Sequence, residues 1–161
     1  MSIGKMTMGS ALFLVSAIAG AAALPLVKVS DTVERAGGGT PLGFSLQLPR
    51  GAQPTAKLMP HVRGYGVDVA GGHISLSLTR LNGQLDADYQ VRHNASLSGG
   101  LETRQELDKN TTLAVMKPQG PQQFVELFKR LSKDEYIQVE CSSPPSLIET
   151  TKAACGSLTI P

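Results

Sequence analysis

In the sequence Ile74-Ser75-Leu76-Ser77-Leu78-Thr79-Arg80, apolar residues alternate one by one with hydroxyl-bearing residues. Successive side chains of a β-strand point to opposite faces, so this alternation predicts a strand with one buried and one polar face. The preceding run Tyr65-Gly66-Val67-Asp68-Val69 has a similar pattern, and Ala70-Gly71-Gly72-His73 joins the two runs. Because glycines at such a junction favour a tight turn, we expect a hairpin in an antiparallel sheet.

Further strands are predicted on both sides of this hairpin. Before it, Phe44, Leu46 and Leu48 alternate with polar residues until Pro49, and residues 52–64 are predicted to be a loop. After residue 100, turn-forming residues separate apolar-rich runs. This pattern predicts four consecutive strands: Leu101 to Leu107, Thr111 to Lys117, Gln123 to Leu131 and Glu135 to Cys141.

Two segments have helical rather than strand periodicity. In residues 84–97 apolar or aromatic residues recur every four positions, and Asp86 and Asp88 lie near the start, where the helix dipole favours acids. Ser146 to about Ser157 places its apolar residues on one side of a helical wheel. The predicted fold class is therefore α+β: an antiparallel β-sheet meander with a mid-chain helix and a C-terminal helix packed on it.

The first 23 residues have the three zones of a secretory signal. Lys5 precedes the apolar run Ala11 to Ala19, and Gly20-Ala21-Ala22-Ala23 closes the segment with small residues. The alternative is a membrane anchor, but the apolar run is shorter than the ~20 residues that a spanning helix needs. We therefore predict a signal peptide that is cleaved near Ala23, which makes the protein periplasmic or otherwise secreted.

The rest of the chain is predicted to form one domain behind a short leader. Residues 24–42 contain Gly37-Gly38-Gly39-Thr40-Pro41, which is typical of a flexible loop, and they are interpreted as a flexible leader. Residues 43–161 then form a single α+β domain. The formal net charge is only +2, and the chain has no Trp. Nucleic acid and anionic membranes are therefore poor partners, and no membrane span is expected after cleavage.

Cys141 and Cys155 are the two cysteines of the chain, and they fit an oxidising compartment. A bridge between them would close a short loop and stabilise the fold by about 2–3 kcal/mol. The intervening Ser142-Ser143-Pro144-Pro145 is able to turn the chain back, and both cysteines point at the same predicted core layer. We predict a disulfide, with two separately buried thiols as the alternative.

The order of elements resembles a known family. The features that carry the resemblance are Gly43-Phe44-Ser45-Leu46-Gln47-Leu48-Pro49, the mid-chain helix, and a meander whose last strand, Asp134-Glu135-Tyr136-Ile137-Gln138-Val139, leads directly into the closing helix. Over most of residues 43–161 this pattern is similar to the PsbP-like superfamily, which includes periplasmic and thylakoid-lumen proteins. The resemblance implies a non-enzymatic binding or assembly module.

No sequence motif predicts a catalytic, cofactor or metal site. His61, His73 and His93 lack the spacing of zinc ligands, and the chain contains no Gly-x-Ser-x-Gly nucleophile motif. We therefore predict that the protein is not an enzyme and that it has no cofactor or metal. Because paired carboxylates meet in space rather than in sequence, a small hydrolase or ligand carrier stays an alternative.

These observations favour an exported protein-binding module. One concrete version is a periplasmic immunity protein that inhibits a secreted, type VI-like toxin, and the alternative is an assembly or accessory factor of an envelope complex, as in the PsbP-like family. The predicted contact elements are the loops at 52–64 and 118–122. His61, Arg63 and Tyr65 are the candidate partner contacts, because Arg and Tyr are favoured interface anchors, and the alternative is an ordinary solvated loop.

Overall fold

The computed structural model describes residues 24–55 and 59–161, and the predicted signal peptide lies outside them. The strands of this part of the chain are β1 Leu26–Val33, β2 Leu42–Pro49, β3 Gln53–Pro54, β4 Val62–Val69, β5 Gly72–Asn82, β6 Leu101–Asp108, β7 Thr111–Met116, β8 Gln123–Ser132 and β9 Glu135–Ser143. The helices are α1 Ala87–Leu97 and α2 Ile148–Cys155, and a 3-10 turn at Pro145–Leu147 precedes α2. Neither helix in the described ranges has the length and hydrophobicity to span a bilayer.

Seven strands form the main sheet in the order β3-β4-β5-β9-β8-β7-β6. All neighbours in it are antiparallel. β6 to β9 lie side by side in chain order, and Val69 pairs with Gly72 across the tight turn between β4 and β5. The predicted α+β class, the hairpin and the four strands after residue 100 are therefore confirmed.

The β1–β2 ribbon and α2 cover one face of the main sheet. β1 pairs with β2 along its whole length, from Leu26 opposite Pro49 to Val33 opposite Leu42. α2 packs against β2, β8 and β9. The space between these layers is the largest apolar core, where each fully buried aliphatic side chain stabilises the fold by about 1.5–3 kcal/mol. Its members include Val33, Leu46, Leu78, Leu127, Ile137 and Cys155.

The structure corrects the prediction of a flexible leader over residues 24–42. Residues 26–33 are strand β1, and Val33 at its end is fully buried. Arg80 of the main sheet donates to the carbonyl oxygens of Val33 and Thr40 at 3.2 and 2.8 Å, which ties the segment to the domain. The predicted loop at 52–64 is likewise shorter, because β3 lies within it and β4 begins at Val62.

α1 covers the opposite face of the sheet over β6, β7 and β8. Val91 and Ala95 of the helix pack in a second apolar cluster with Met116 and Phe128 of those strands. Asp86 is the N-cap, and its carboxylate accepts a hydrogen bond from the backbone N–H of Tyr89 at 2.9 Å. Among residues 24–55 and 59–161, neither helix lies over the face of β4, β5 and β9 next to α1.

The apolar stripe predicted for this helix is wrong in most of its members. Tyr89, His93 and Leu97 point to solvent, and the rings of Tyr89 and His93 stack on each other with centroids 5.7 Å apart. Leu85 is buried, but it precedes the helix. The four-residue periodicity in the sequence corresponds to the outer face of α1. The inner face is formed by small or short residues, which do not stand out as an apolar stripe.

Candidate functional site

The uncovered face of the main sheet is polar because of the alternation in its strands. On β5, Ile74, Leu76 and Leu78 point into the core, whereas Ser75, Ser77 and Thr79 point the other way and are half-buried. On β9, Gln138, Glu140 and Ser142 share this outer face. Because many side chains on this face are short and polar, the strands themselves form the floor of a groove.

Strand register arranges the floor in rows that run across the sheet. The central row consists of Gly64 on β4, Ser77 on β5, Glu140 on β9 and Glu126 on β8. The next position in the row, Ala114 on β7, lies under α1. The groove therefore begins at β4 and ends where the helix covers the sheet.

Two pockets lie along this groove, and Glu140 lines both of them. The pocket at the α1 end has a volume of about 220 Å³, and Asn94 and Leu97 form its wall. The pocket at the β4 end has a volume of about 240 Å³ and is closed by Thr55. Thr55 reaches this position because Gly64 has no side chain: a Cβ atom there would lie 2.1 Å from the Thr55 Oγ1.

Glu126 is a buried carboxyl at the α1 end of the groove. Its side chain lies beneath α1, and the Asn94 Nδ2 donates to its Oε1 and Oε2 atoms at 3.0 and 2.9 Å. Burial raises its pKa to about 7, the Asn94 hydrogen bond opposes this rise, and the nearby charge of Glu140 adds to it. Glu126 therefore keeps its proton to a higher pH than an exposed carboxyl group does.

Glu140 gives the groove its negative charge. It is exposed and lies directly opposite Glu126 on the paired strand. No Lys, Arg or His belongs to the described residues that line the two pockets. Like charges directly opposite each other on a sheet destabilise it. The two carboxyl groups therefore form the acidic end of the groove.

The histidines lie apart from one another. The His73 Nδ1 donates a hydrogen bond to the Asp68 carboxylate at 2.8 Å, and both side chains are exposed. Within residues 24–55 and 59–161 no hydrogen bond joins His73 to a serine, and the Ser75 hydroxyl bonds instead with that of Ser142 at 2.8 Å. In the same ranges no group of three potential metal ligands is found.

The burial of Arg63 and Tyr65 corrects the expectation that they contact a partner. Arg63 is 6% and Tyr65 3% exposed, and both side chains reach Asp31 of β1, at 3.7 and 2.8 Å respectively. Neither is accessible to a partner in this conformation, because the predicted leader is a strand that covers them. His61 is half-buried, and a contact there stays a prediction, as it does for the exposed turn at 118–122.

The two cysteines are buried and lie against each other. A hydrogen bond between their side chains, together with burial, raises the pKa of the Cys141 thiol, with burial as the larger cause. The Cys155 thiol also donates to the carbonyl oxygen of Val125 at 3.4 Å. Both are thiols in the structure. The predicted disulfide between them stays a prediction.

Sequence reasoning missed the residues that form the acidic end of the groove. Phe124, Glu126 and Phe128 occupy alternate positions of β8 and therefore share one face of the strand. Glu126 is the acidic residue that interrupts this otherwise apolar series. This interruption was the signal in the sequence for a site residue. It can be interpreted only when the position of α1 over the strand is known. The chain matches no protein-family model and no curated protein.

Proposed function

We propose that this chain is an exported, non-enzymatic protein-binding module that contacts its partner through the uncovered face of β4, β5 and β9. The observation that carries the proposal is the groove between Thr55 and α1, whose lining includes Gly64, Ser77 and Glu140. Protein interfaces need roughly one hydrogen bond per 100–200 Å² of contact. The hydroxyl, amide and carboxyl groups of this face are potential donors and acceptors for such bonds.

A toxin is the concrete partner that we favour. An immunity protein has to occupy the active site of its toxin, and a groove walled by a helix on one side and by Thr55 on the other accepts a projecting loop. In this proposal the cleaved protein is periplasmic and its resemblance to the PsbP-like superfamily extends to a binding role. The related possibility is a resident envelope complex that the protein helps to assemble.

Affinity capture with a groove-blocking variant tests the proposal. The tagged mature protein is recovered from its native cell envelope beside two variants, Ser77→Tyr and Ser30→Tyr, and the captured proteins are identified by mass spectrometry. Ser77 lies on the groove floor, whereas Ser30 is exposed on β1, on the far side of the main sheet. The second variant controls for the effect of adding a tyrosine to a strand.

We expect a stoichiometric partner with the unmodified protein and with Ser30→Tyr, and its loss with Ser77→Tyr. A toxin-like enzyme among the captured proteins supports the immunity role, and a resident complex supports the assembly role. Recovery of the same partner with Ser77→Tyr contradicts the assignment of the groove. Capture of no protein, together with a small molecule that co-purifies, contradicts the protein-binding function and favours a ligand carrier.

A further inference from the structure

We propose that this chain crosses the membrane unfolded and that its signal peptide is removed before the domain folds. This inference rests on the export that is part of the proposed function. It adds the order of the steps, which is translocation, cleavage near Ala23 and then folding. The observation that carries it is the position of Leu24, the first residue after the predicted cleavage site, in the packed part of the domain.

Leu24 is attached to the domain by its backbone and by its side chain. Its backbone N–H donates a hydrogen bond to the Oγ1 atom of Thr150 in α2 at 3.4 Å. Its side chain is half-buried and packs against the apolar cluster of Val67, Ile74 and Leu147. All these partners are distant from Leu24 in the sequence. This docking therefore exists only in the folded domain.

The residues after Leu24 continue directly into the fold. The carbonyl oxygen of Pro25 accepts a hydrogen bond from the backbone N–H of Arg50 at 3.1 Å, and Leu26 begins β1 opposite Pro49. A protease binds its substrate in an extended conformation on both sides of the bond that it cuts. Backbone that is packed and hydrogen-bonded is not available for this binding. Folding therefore shields the predicted cleavage site from its C-terminal side.

The predicted signal peptide leaves little space on the other side of the site. Its apolar run ends at Ala19, and the four residues from Gly20 to Ala23 separate this run from the cleaved bond. Even fully extended, four residues span at most about 14 Å. A domain of about 100 residues already has a radius of gyration of about 13 Å, so a protease is wider than this gap. A membrane-bound signal peptidase therefore reaches the site only while the residues after it are unfolded.

Two further observations agree with export in the unfolded state. Cys141 and Cys155 are 1% and 0% exposed, so an oxidant outside the cytoplasm reaches their thiols, as the predicted disulfide requires, only before the core closes. Residues 1–10 contain Lys5 as their only charged side chain. They therefore lack the pair of arginines that is typical of signals for the export of folded proteins.

Cleavage of three full-length precursors by a signal peptidase in detergent micelles tests the order of the steps. The first is the natural precursor, residues 1–161. The second carries Leu78→Asp, which places a charge at a fully buried core position and is designed to keep the domain unfolded. The third has a Gly/Ser spacer of about ten residues inserted after Ala23, which moves the site away from a domain that still folds. Circular dichroism verifies the folded or unfolded state of each.

We expect the folded natural precursor to be cut at least about tenfold more slowly than the other two, because its cleavage requires an opening of the domain. Mass spectrometry of the product should show an N-terminus at or next to Leu24. Equal rates for the natural precursor and Leu78→Asp overturn the inference, and so does slow cleavage of the folded precursor with the spacer.

The failure of this inference is distinguishable from the failure of the proposed function. Equal cleavage of the folded and the unfolded precursor leaves export and the binding role in place and overturns only the order of the steps. An unfolded Leu78→Asp precursor that is not cut at all has a different meaning. It contradicts the cleavable signal peptide itself, and with it the exported character of the protein.

Discussion

Glu126 and Glu140 face each other on adjacent strands, one buried beneath α1 and the other exposed in an open groove. The helix covers the first carboxyl group and stops short of the second, so the same row of the sheet passes from interior to surface between them. This boundary is where the structure departs from an ordinary two-layer packing, and it defines the acidic end of the proposed binding face.

The ionisation of Glu126 should make the stability of the domain depend on pH. Its pKa rises from 4.5 to about 7 on folding, because burial disfavours the charged form. The folded state therefore holds an extra proton between these values, and the free energy of unfolding should fall as the pH rises from about 4.5 to about 7. In Glu126→Gln this part of the pH dependence disappears.

Urea unfolding at pH 5 and at pH 8 measures the effect. The free energy of unfolding of Glu126→Gln minus that of the unmodified protein should be larger at pH 8 than at pH 5. For Glu149→Gln this difference should be the same at both pH values. If the two variants show the same pH dependence of stability, folding does not raise the pKa of Glu126.

Arg80 should be a main determinant of stability. It is 9% exposed, pairs with Glu135 on β9, and donates to the carbonyl oxygens of Val33 and Thr40. Arg80→Met leaves a largely buried carboxylate and two carbonyl groups without their donor, and we expect a loss of about 3–5 kcal/mol in the free energy of unfolding.

Chemical denaturation checks this value, and Arg50→Met, at an exposed turn position, serves as the control. Hydrogen exchange adds a local reading, since the amides of β1 should lose protection in the Arg80 variant. A loss below about 1 kcal/mol would mean that β1 is not held by this residue.

The contact between Cys141 and Cys155 leads to a test of the predicted bridge. In protein purified from an oxidising compartment, we expect no alkylation of either cysteine after denaturation without reductant. Reduction should lower the free energy of unfolding by about 2–3 kcal/mol, as the loss of a short closed loop implies. Intact mass spectrometry counts the labels, and two labels per chain in the unreduced sample would contradict the bridge.

The closeness of Gly64 and Thr55 should appear as coupling between two substitutions. A methyl group at Gly64 collides with the Thr55 Oγ1, so Gly64→Ala should destabilise the domain by about 1–3 kcal/mol. Thr55→Ala removes the hydroxyl group and should restore most of this loss in the double variant. A double-mutant cycle measured by thermal unfolding gives the coupling, and strict additivity would mean that Thr55 does not lie on Gly64.

The sequence was sufficient for those elements whose pattern is local. The alternation from Ile74 to Leu78 predicted both the strand and its polar face, and that polar face is the floor of the groove. Turn residues such as Asp108-Lys109-Asn110 likewise separated neighbouring strands correctly, since β6 ends at Asp108 and β7 begins at Thr111.

The features that failed depend on distant partners. β1 was interpreted as a leader because the glycines after it are typical of a linker, whereas its strand state is secured by pairing with β2 and by Arg80. The burial of Arg63 and Tyr65 follows from the same strand. Glu126 could not be recognised as a site residue, because its burial depends on where α1 ends above the sheet.

Site-specific photo-crosslinking tests the central claim most directly. A benzoylphenylalanine is introduced at Ser77 on the groove floor or at Ser30 on β1, and cells are irradiated with the protein in its native envelope. The account predicts a crosslinked partner protein from position 77 and none from position 30. Crosslinks from position 30 alone, or the same products from both positions, would contradict the assignment of the uncovered face as the binding surface.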